Sequence, residues 1–350
     1  MTTLARRDDG ELARGIAAWC AQRSPDSDPE VVELSRPNAG WSNETLMVTT
    51  RWRAGTDERR ERFVVRLPPT VPTWPSYDLE AQSQVLDAVA RQGIAVPRSL
   101  ALVDDAQWLG APFLVMSHEA GRAGAEVTAL DPWINDASPD EQRRFHETFA
   151  RLLASIHRVD WRAAGLEGVL RGSDDSIAGE IEWWSRYIDW AADGAPTPSL
   201  ARAMKWCATN APTQQPPASL CWGDARIGNV LFSDDRAVTA VLDWEMATIG
   251  PAELDLGWYL ALEELTTHFI KRTVEGFLDR AGFIATYERA LGREVRDLAW
   301  FEIFALVRST AINDRQARLA AAAGVAYPGV AGETNPVLPY LAEKIDEFES

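Results

Sequence analysis

The chain of 350 residues has only three cysteines, Cys20, Cys207 and Cys221, and none of them forms a CxxC pair. An odd count without that spacing argues against a disulfide framework and against a zinc site. No apolar run reaches the roughly 18 residues that a membrane span needs, so we expect no contact with a bilayer. The N-terminal stretch MTTLARRDDGELARG also lacks the apolar core of a signal peptide. Together these absences predict a cytoplasmic protein.

Basic residues are also in the minority. The chain has 35 Lys and Arg against 52 Asp and Glu, which gives a formal net charge of −17. Binding to the phosphate backbone of DNA or RNA needs a basic face, so we expect no nucleic-acid partner. The acidic excess is compatible with a cationic small molecule, but solubility alone explains it as well. The chain has no GxxxxGK[ST] sequence, which leaves little support for a P-loop nucleotide site.

The most informative stretch covers residues 220–258 and carries two acidic residues and an amide among short apolar runs. Asn229 lies five positions after Asp224, and Asp243 follows the apolar run at 237–242. Two strands flanking the polar loop would bring these three side chains to one edge. A carboxylate that orients a nucleophile, with an amide and a second carboxylate for hard cations, meets the needs of phosphoryl transfer from Mg-ATP.

Three strings in this stretch carry a resemblance to a known family. WGDARIGNVLF resembles the catalytic loop of the aminoglycoside phosphotransferase family, usually HGDxxxxN. VLDWEMATIG resembles the metal loop of that family, the counterpart of the kinase DFG sequence, and DLGW matches the segment that follows. Weaker similarity reaches back to about Asn38, so the resemblance covers most of the chain. The branch that it resembles includes the kinase-like domains found beside acyl-CoA dehydrogenases.

The resemblance implies an α+β, bilobal, protein-kinase-like fold. An N-terminal antiparallel sheet with one helix would form the nucleotide-binding lobe at residues 1–117. A larger, mainly helical lobe at residues 118–350 would carry catalysis and substrate binding. The length of the chain independently favours two lobes. Ser117 and Glu119 would form the hinge, where backbone groups would bind adenine.

The resemblance also implies roles for the polar residues of the loop. Asp224 would be the catalytic base for an acceptor hydroxyl, and Asn229 and Asp243 would each hold Mg²⁺. Arg226 would steady substrate or phosphate, although a salt bridge on the loop surface explains it equally well. Asp255, in DLGW, would brace the catalytic loop.

Further nucleotide-binding residues are predicted in the N-terminal half. Gly40, Ser42 and Asn43 lie in a turn between two strands, where backbone N–H groups could reach the phosphates of ATP, although a simple hairpin has the same pattern. Arg66, near the end of a third strand, takes the position of the kinase lysine that holds the α- and β-phosphates. Glu80 would pair with Arg66, but the dipole of the following helix also explains an acidic residue there.

Periodic patterns place the remaining elements. An aromatic stripe of Trp183, Tyr187 and Trp190 on a helix at 174–192 could wall a pocket for an apolar or ring-bearing acceptor, although such a stripe more often packs in a core. Two strands around a turn are expected at 31–53, and single strands at 61–67, 96–103 and 112–116. Helices are expected at 11–22, 79–91, 139–159, 200–210, 259–265, 269–291, 295–319 and 337–348.

The function predicted from these residues is transfer of the γ-phosphate of ATP to a hydroxyl of a small molecule, with Mg²⁺. Two departures from the family bear on it: Trp222 stands where histidine is usual, and Arg66 replaces lysine. The second departure leaves open a nucleotide-binding pseudokinase-like module without transfer. A choline- or homoserine-type kinase would share the fold and mechanism. The residues favour no particular oligomeric state.

Overall fold

The computed structural model describes residues 6–37, 42–54, 57–172 and 176–350. Its N-terminal part contains a sheet and two helices, and its C-terminal part is mainly helical with two small sheets. The N-terminal elements are α1 (Asp9–Arg23), β1 (Asp28–Ser35), β2 (Glu44–Ala54), β3 (Asp57–Leu67), α2 (Leu79–Arg91), β4 (Ser99–Val103) and β5 (Phe113–Ser117).

The C-terminal elements begin directly after the predicted hinge at Ser117. Three short 3-10 turns, Thr128–Leu130, Ile227–Asn229 and Gly332–Thr334, lie between them. The strands are β6 (Arg122–Ala123), β7 (Ala218–Cys221), β8 (Val230–Phe232), β9 (Val238–Val241) and β10 (Thr248–Pro251). The helices are α3 (Pro132–Asn135), α4 (Pro139–His157), α5 (Ser176–Ala191), α6 (Pro198–Thr209), α7 (Glu253–Ile270), α8 (Arg280–Leu291), α9 (Leu298–Ala323) and α10 (Val337–Glu349).

The N-terminal sheet is antiparallel, with the strand order β1-β2-β3-β5-β4. Alternation along β5 divides the apolar residues between its two faces, as strand geometry requires. Phe113 and Val115 join the core formed with α1, whereas Leu114 and Met116 join the core that includes α2. The predicted sheet is therefore confirmed, and the helices that periodicity predicts at 11–22 and 79–91 pack on its two faces, where the resemblance implied one helix.

Helix α2 has the bounds that its pattern predicts. Asp78 caps its first turn, since its carboxylate accepts the backbone N–H of Ala81 at 2.8 Å. Helix α4 begins with a complete capping box between Ser138 and Glu141. Its buried apolar stripe lies against α8 and the strand that leads into the site.

Helix α7 begins earlier than expected, and it includes the DLGW segment that we predicted to precede a helix. Gly257 explains how α7 can lie so close to α9: a Cβ there would come within 2.8 Å of Cβ of Phe301. The single helix expected at 269–291 is wrong, because the chain turns left-handed at Lys271 with φ 57° and restarts at Arg280. Asp279 caps that new start.

The segment between β3 and α2 joins the two lobes. The hydroxyl of Tyr187 on α5 donates to the carbonyl of Thr73 at 3.1 Å. Nη2 of Arg315 on α9 donates to the carbonyl of Pro72 at 3.3 Å. The segment is therefore fixed to the C-terminal lobe by hydrogen bonds from two helices. Across the described residues, no helix is both long and apolar enough to span a bilayer.

A buried histidine makes the stability of the C-terminal lobe depend on pH. Nδ1 of His146 accepts the backbone N–H of Leu278 at 3.0 Å, so the ring must be neutral to keep this bond. Burial lowers the pKa of His146 from 6.5 to about 3. Between these values the unfolded chain binds a proton that the folded chain does not, so the free energy of unfolding falls as the pH decreases through this range.

We predict that His146→Asn removes this dependence. Between pH 6 and pH 4, the free energy of unfolding of the variant should fall less steeply than that of the wild type. The two slopes should differ by about 1.4 kcal/mol per pH unit. Urea unfolding at several pH values measures both slopes. Equal slopes in the two proteins would contradict the assignment of a neutral, buried ring.

Candidate active site

The loop between β7 and β8 is held from below by a buried carboxylate. Asp255, on α7, accepts the backbone N–H of Trp222 at 2.6 Å and that of Gly223 at 2.8 Å. His157 lies 3.0 Å from the same carboxylate, and both side chains are fully buried. The brace predicted at Asp255 is present in the structure. The possible ligand atoms of His157, Cys221 and Asp255 lie within 4.8 Å of one another, but the Asp255 carboxylate is engaged by these bonds and the Cys221 thiol contacts the carbonyls of Gly250 and Pro251.

Gly223 allows the loop to turn immediately before Asp224. Its φ is +94°, a value that side chains disfavour, and a Cβ would lie 2.3 Å from the carbonyl oxygen of Met246. Only glycine fits there without displacing the backbone of the second loop. The loop geometry therefore depends on this residue as well as on the brace.

Asp224 is held through both carboxylate oxygens, and its side chain remains 16% exposed. Oδ1 accepts the indole N–H of Trp258 at 3.0 Å. Oδ2 accepts Nδ2 of Asn229 at 2.7 Å and Nη2 of Arg226 at 3.0 Å. The negative charge of Asp224 raises the pKa of Arg226, despite the opposing effect of burial. The carboxylate is thus fixed in orientation while one edge stays open to solvent.

Asn229 connects the loop between β7 and β8 to the loop after β9. Its Nδ2 also donates to the carbonyl of Asp224 at 3.0 Å, so both contacts of the amide nitrogen are to the same residue. The backbone carbonyl of Asn229 accepts the backbone N–H of Leu242 at 2.8 Å. Trp222 Nε1 donates to the carbonyl of Leu242 at 2.7 Å, so the indole that replaces the usual histidine fills the space and ties the loops together.

Asp243 follows β9 and a single intervening residue. Its backbone is left-handed, with φ +60°, which is uncommon outside glycine and tolerated by aspartate. Its side chain is 32% exposed and forms an ion pair with Nη2 of Arg66. Leu242, the residue before Asp243, is hydrogen-bonded to Asn229 and to Trp222. These bonds hold the backbone at Asp243 close to Asn229.

Arg66 has different partners from those predicted. It lies near the end of β3 and pairs with Asp243 and, at 3.3 Å, with Oε2 of Glu245. Glu80 is exposed on the first turn of α2, where its carboxylate accepts Nε2 of Gln84 at 3.1 Å. The expected pair between Arg66 and Glu80 is therefore wrong for this structure. The first turn of α2 directs Glu80 to solvent, and the loop after β9 supplies the acids instead.

Glu245 is a site residue that sequence reasoning missed. Its carboxylate accepts Nε1 of Trp74 at 3.0 Å and hydrogen bonds from Ser42 and Asn43. Burial, and then the charge of Asp243, raise the pKa of Glu245 to about 7, against the opposing effect of Arg66. Its position two residues after Asp243 was the available signal, because it places a second acid next to the predicted metal ligand.

The predicted phosphate loop is described in part. Gly40 lies outside the described residues. Ser42 and Asn43 lie just before β2, and their side chains contact Glu245. Their predicted backbone contacts with phosphate remain a prediction, as does the role of the hinge. In the hinge, the hydroxyl of Ser117 accepts the backbone N–H of Arg98 at 2.7 Å and donates to Glu119.

The aromatic stripe on α5 lies against the segment between β3 and α2. Tyr187 is only 1% exposed, and its ring centroid lies 5.2 Å from that of Trp74. It therefore packs between the lobes, the alternative that such a stripe more often adopts, and the predicted contact of Tyr187 with an acceptor is not supported. Trp183 and Trp190 are only partly buried, so their predicted contact with an acceptor remains a prediction.

The model of the phosphotransferase enzyme family matches residues 33–301, well over half of the chain. The chain belongs to this family. The resemblance inferred from WGDARIGNVLF, VLDWEMATIG and DLGW is thereby confirmed, and with it the assignment to a family of phosphotransferases. The chain is also 28% identical over 251 residues to acyl-CoA dehydrogenase family member 10 of Mus musculus. That match covers 71% of this chain but 22% of the relative, so this chain spans about a fifth of that protein's length.

Solved structures support the same fold. A proposed aminoglycoside phosphotransferase from Ralstonia eutropha matches with a TM-score of 0.63 and 22% identity, over 97% of this chain and 95% of the other. Macrolide 2'-phosphotransferase type I matches with a TM-score of 0.57 and 18% identity, over 99% and 98%. At these identities the similarity establishes the fold, and it confirms the predicted bilobal, kinase-like architecture.

The two candidate partners of Arg66 can be distinguished by matched substitutions. We predict that Glu245→Ala lowers the free energy of unfolding by about 2 kcal/mol, because Trp74, Asn43 and Arg66 lose a buried acceptor. Glu80→Ala should change it by no more than about 0.5 kcal/mol, as is usual for an exposed residue. Urea unfolding at pH 8 measures both changes. A larger loss from Glu80→Ala than from Glu245→Ala would overturn the assignment of Glu245.

Proposed function

We propose that this protein transfers the γ-phosphate of ATP to a hydroxyl group of a small molecule, with Asp224 as the catalytic base. The observation that supports this most strongly is the fixed carboxylate of Asp224, held on both oxygens and still partly exposed. In phosphoryl transfer the main tasks of the protein are alignment and the stabilisation of charge. A carboxylate held in this way can accept the proton of an acceptor hydroxyl and orient its oxygen.

The oxygen ligands available in the cleft fit a magnesium ion. Asp243 offers a carboxylate that is one-third exposed. Asn229 uses its amide nitrogen for Asp224, which leaves the amide oxygen for another partner. Carboxylate and amide oxygens are the ligands that Mg²⁺ accepts in proteins. Asp243 and Asn229 would hold Mg²⁺, which would supply neutralisation of the phosphate charge.

Arg66 is the proposed contact to the α- and β-phosphates. Its guanidinium group is always charged and can bind phosphate through two N–H groups. Glu245 would hold Arg66 in the cleft, with Ser42 and Asn43 on its other side. The pairing of Arg66 with Asp243 favours a second candidate, a nucleotide-binding module without transfer, because the same acid is needed for the metal.

The acceptor is proposed to be a small molecule with a free hydroxyl. The similar solved structures are described as aminoglycoside and macrolide phosphotransferases, whose acceptors are hydroxylated small molecules. The partly exposed rings of Trp183 and Trp190 would favour an acceptor with an apolar or ring-bearing part. A choline- or homoserine-type acceptor would use the same proposed chemistry, so the acceptor has to be found by a screen.

The test is a screen of hydroxylated compounds for ADP release from Mg-ATP. We predict that at least one compound stimulates ADP release. Asp224→Asn should lower the stimulated rate by about 100-fold or more, because the base is lost. Asp243→Asn should abolish both the rate and the effect of Mg²⁺ on ADP binding. Calorimetric titration with ADP, with and without Mg²⁺, measures the second effect.

Asp234→Asn is the matched control, since Asp234 is exposed in the turn after β8 and undergoes the same chemical change. It should leave turnover and binding unchanged. Tight binding of Mg-ADP without stimulated turnover would favour the nucleotide-binding module. Turnover that survives Asp224→Asn would refute the role of this residue as the base.

A further inference from the structure

Trp258 donates a hydrogen bond to Asp224 from outside the loop that carries this residue. It lies on α7, three residues after Asp255, and its ring is 3% exposed. Its indole N–H donates to Oδ1 of Asp224 at 3.0 Å, whereas Nδ2 of Asn229 and Nη2 of Arg226 donate to Oδ2. Nε of Arg226 also lies 2.9 Å from Oδ1, as an ion pair without a hydrogen bond. Without Trp258, Oδ1 would keep the ion-pair contact with Arg226 but would lose its hydrogen bond, so the direction of the carboxylate would be less restricted. The direction of the carboxylate therefore depends on the position of an indole ring from another element.

Arg308 fixes the ring of Trp258 from behind. This residue lies on α9 and is 2% exposed. Its guanidinium carbon lies 4.7 Å from the ring centroid of Trp258 and 5.1 Å from that of Trp184. Its Nη2 donates to the carbonyl of Gly223, immediately before Asp224, at 3.3 Å. One side chain thus contacts both the ring that orients Asp224 and the backbone that carries it.

The burial of Arg308 is costly. Within the described part of the chain, no carboxylate lies at ion-pair distance from its guanidinium, and its Nε has no hydrogen-bond partner. Burial lowers the pKa of Arg308 below its ordinary value. Removing a cation from water without a close counter-ion is unfavourable, and the stacking on aromatic rings, with the more distant charges of Glu180 and Asp255, offsets this only in part. A planar cation in this place indicates a task that an apolar side chain of the same volume would not perform.

We infer that Trp258 and Arg308 are positioning residues for Asp224, with the indole N–H setting the direction of the carboxylate and the guanidinium setting the position of the indole and of the Gly223 carbonyl. The inference rests on the proposed function, because it concerns the base of that reaction. It makes a specific claim about rate: misdirection of the carboxylate should lower kcat while leaving the binding of Mg-ATP intact.

The first test compares two tryptophans that each donate one indole hydrogen bond. Trp258→Phe removes the bond to Asp224, and Trp300→Phe removes a bond of 3.1 Å from α9 to the carbonyl of Cys207 on α6. We expect Trp258→Phe to lower kcat for the stimulated ADP release by about tenfold or more, with KM for Mg-ATP within about twofold of the wild type. Trp300→Phe should leave both constants within about twofold. Equal losses of kcat in the two variants, or an unchanged kcat in Trp258→Phe, would overturn the inference.

The second test concerns Arg308 and uses a conservative variant as rescue. Arg308→Met keeps an unbranched apolar stem, though a shorter one, and removes the donor and the charge, so we expect kcat to fall by about tenfold or more. Arg308→Lys keeps a donor for the Gly223 carbonyl and a cation near the rings, so it should recover part of that loss. Thermal unfolding of both variants accompanies the kinetics. Arg308→Lys with a kcat no higher than that of Arg308→Met, at similar thermal stability, would contradict a positioning role.

A structural readout keeps this inference separate from the proposed function. If the wild type releases no ADP with any hydroxylated compound, the proposed function fails, and crystal structures of the wild type and Trp258→Phe decide the positioning claim. The inference predicts that the carboxylate of Asp224 turns away from its wild-type direction in Trp258→Phe. An unchanged carboxylate in that variant would overturn it.

Discussion

The loop between β7 and β8, which carries Asp224, depends on one buried carboxylate, that of Asp255. It accepts the two consecutive backbone N–H groups of Trp222 and Gly223 and lies beside the ring of His157. Hydrogen bonds to an ionised acceptor are stronger than neutral ones, and a buried carboxylate without them would be very unfavourable. The same α7 helix then presents Trp258 to Asp224, so the brace and the orienting donor come from one rigid element. The loop is held by the core of the lobe and not by its own sequence alone.

The sequence predicts the central part of this site because the relevant information is local. The spacing of Asp224, Asn229 and Asp243 and the short apolar runs between them define a strand, a polar loop and two further strands. Helix α2 and the five strands of the first sheet follow from periodicity and from clear breaks such as the prolines after β3. These features need no knowledge of distant contacts, and the structure reproduces them within a few residues.

The remainder depends on contacts between residues far apart in the chain. Glu245, and not Glu80, is a partner of Arg66. Arg66 and Glu245 are separated by 179 positions in the chain. Tyr187 packs between the lobes because the segment around Trp74 covers it, which helical periodicity on α5 does not reveal. Helix α7 begins at Glu253 and not at the expected position 259. Its first turns are buried on all sides and show no polar face, so the helical pattern is not visible there. In each case tertiary packing decided between alternatives that the local pattern left open.

The central claim is that Asp224, Asn229 and Asp243 form one site for Mg²⁺ and a nucleoside triphosphate. The most direct measurement is a crystal structure of the protein with Mg²⁺ and a non-hydrolysable ATP analogue. The account predicts a metal ion bound by oxygens of Asn229 and Asp243, with the γ-phosphate facing the carboxylate of Asp224. A nucleotide bound elsewhere, or a metal ion that contacts neither residue, would contradict it.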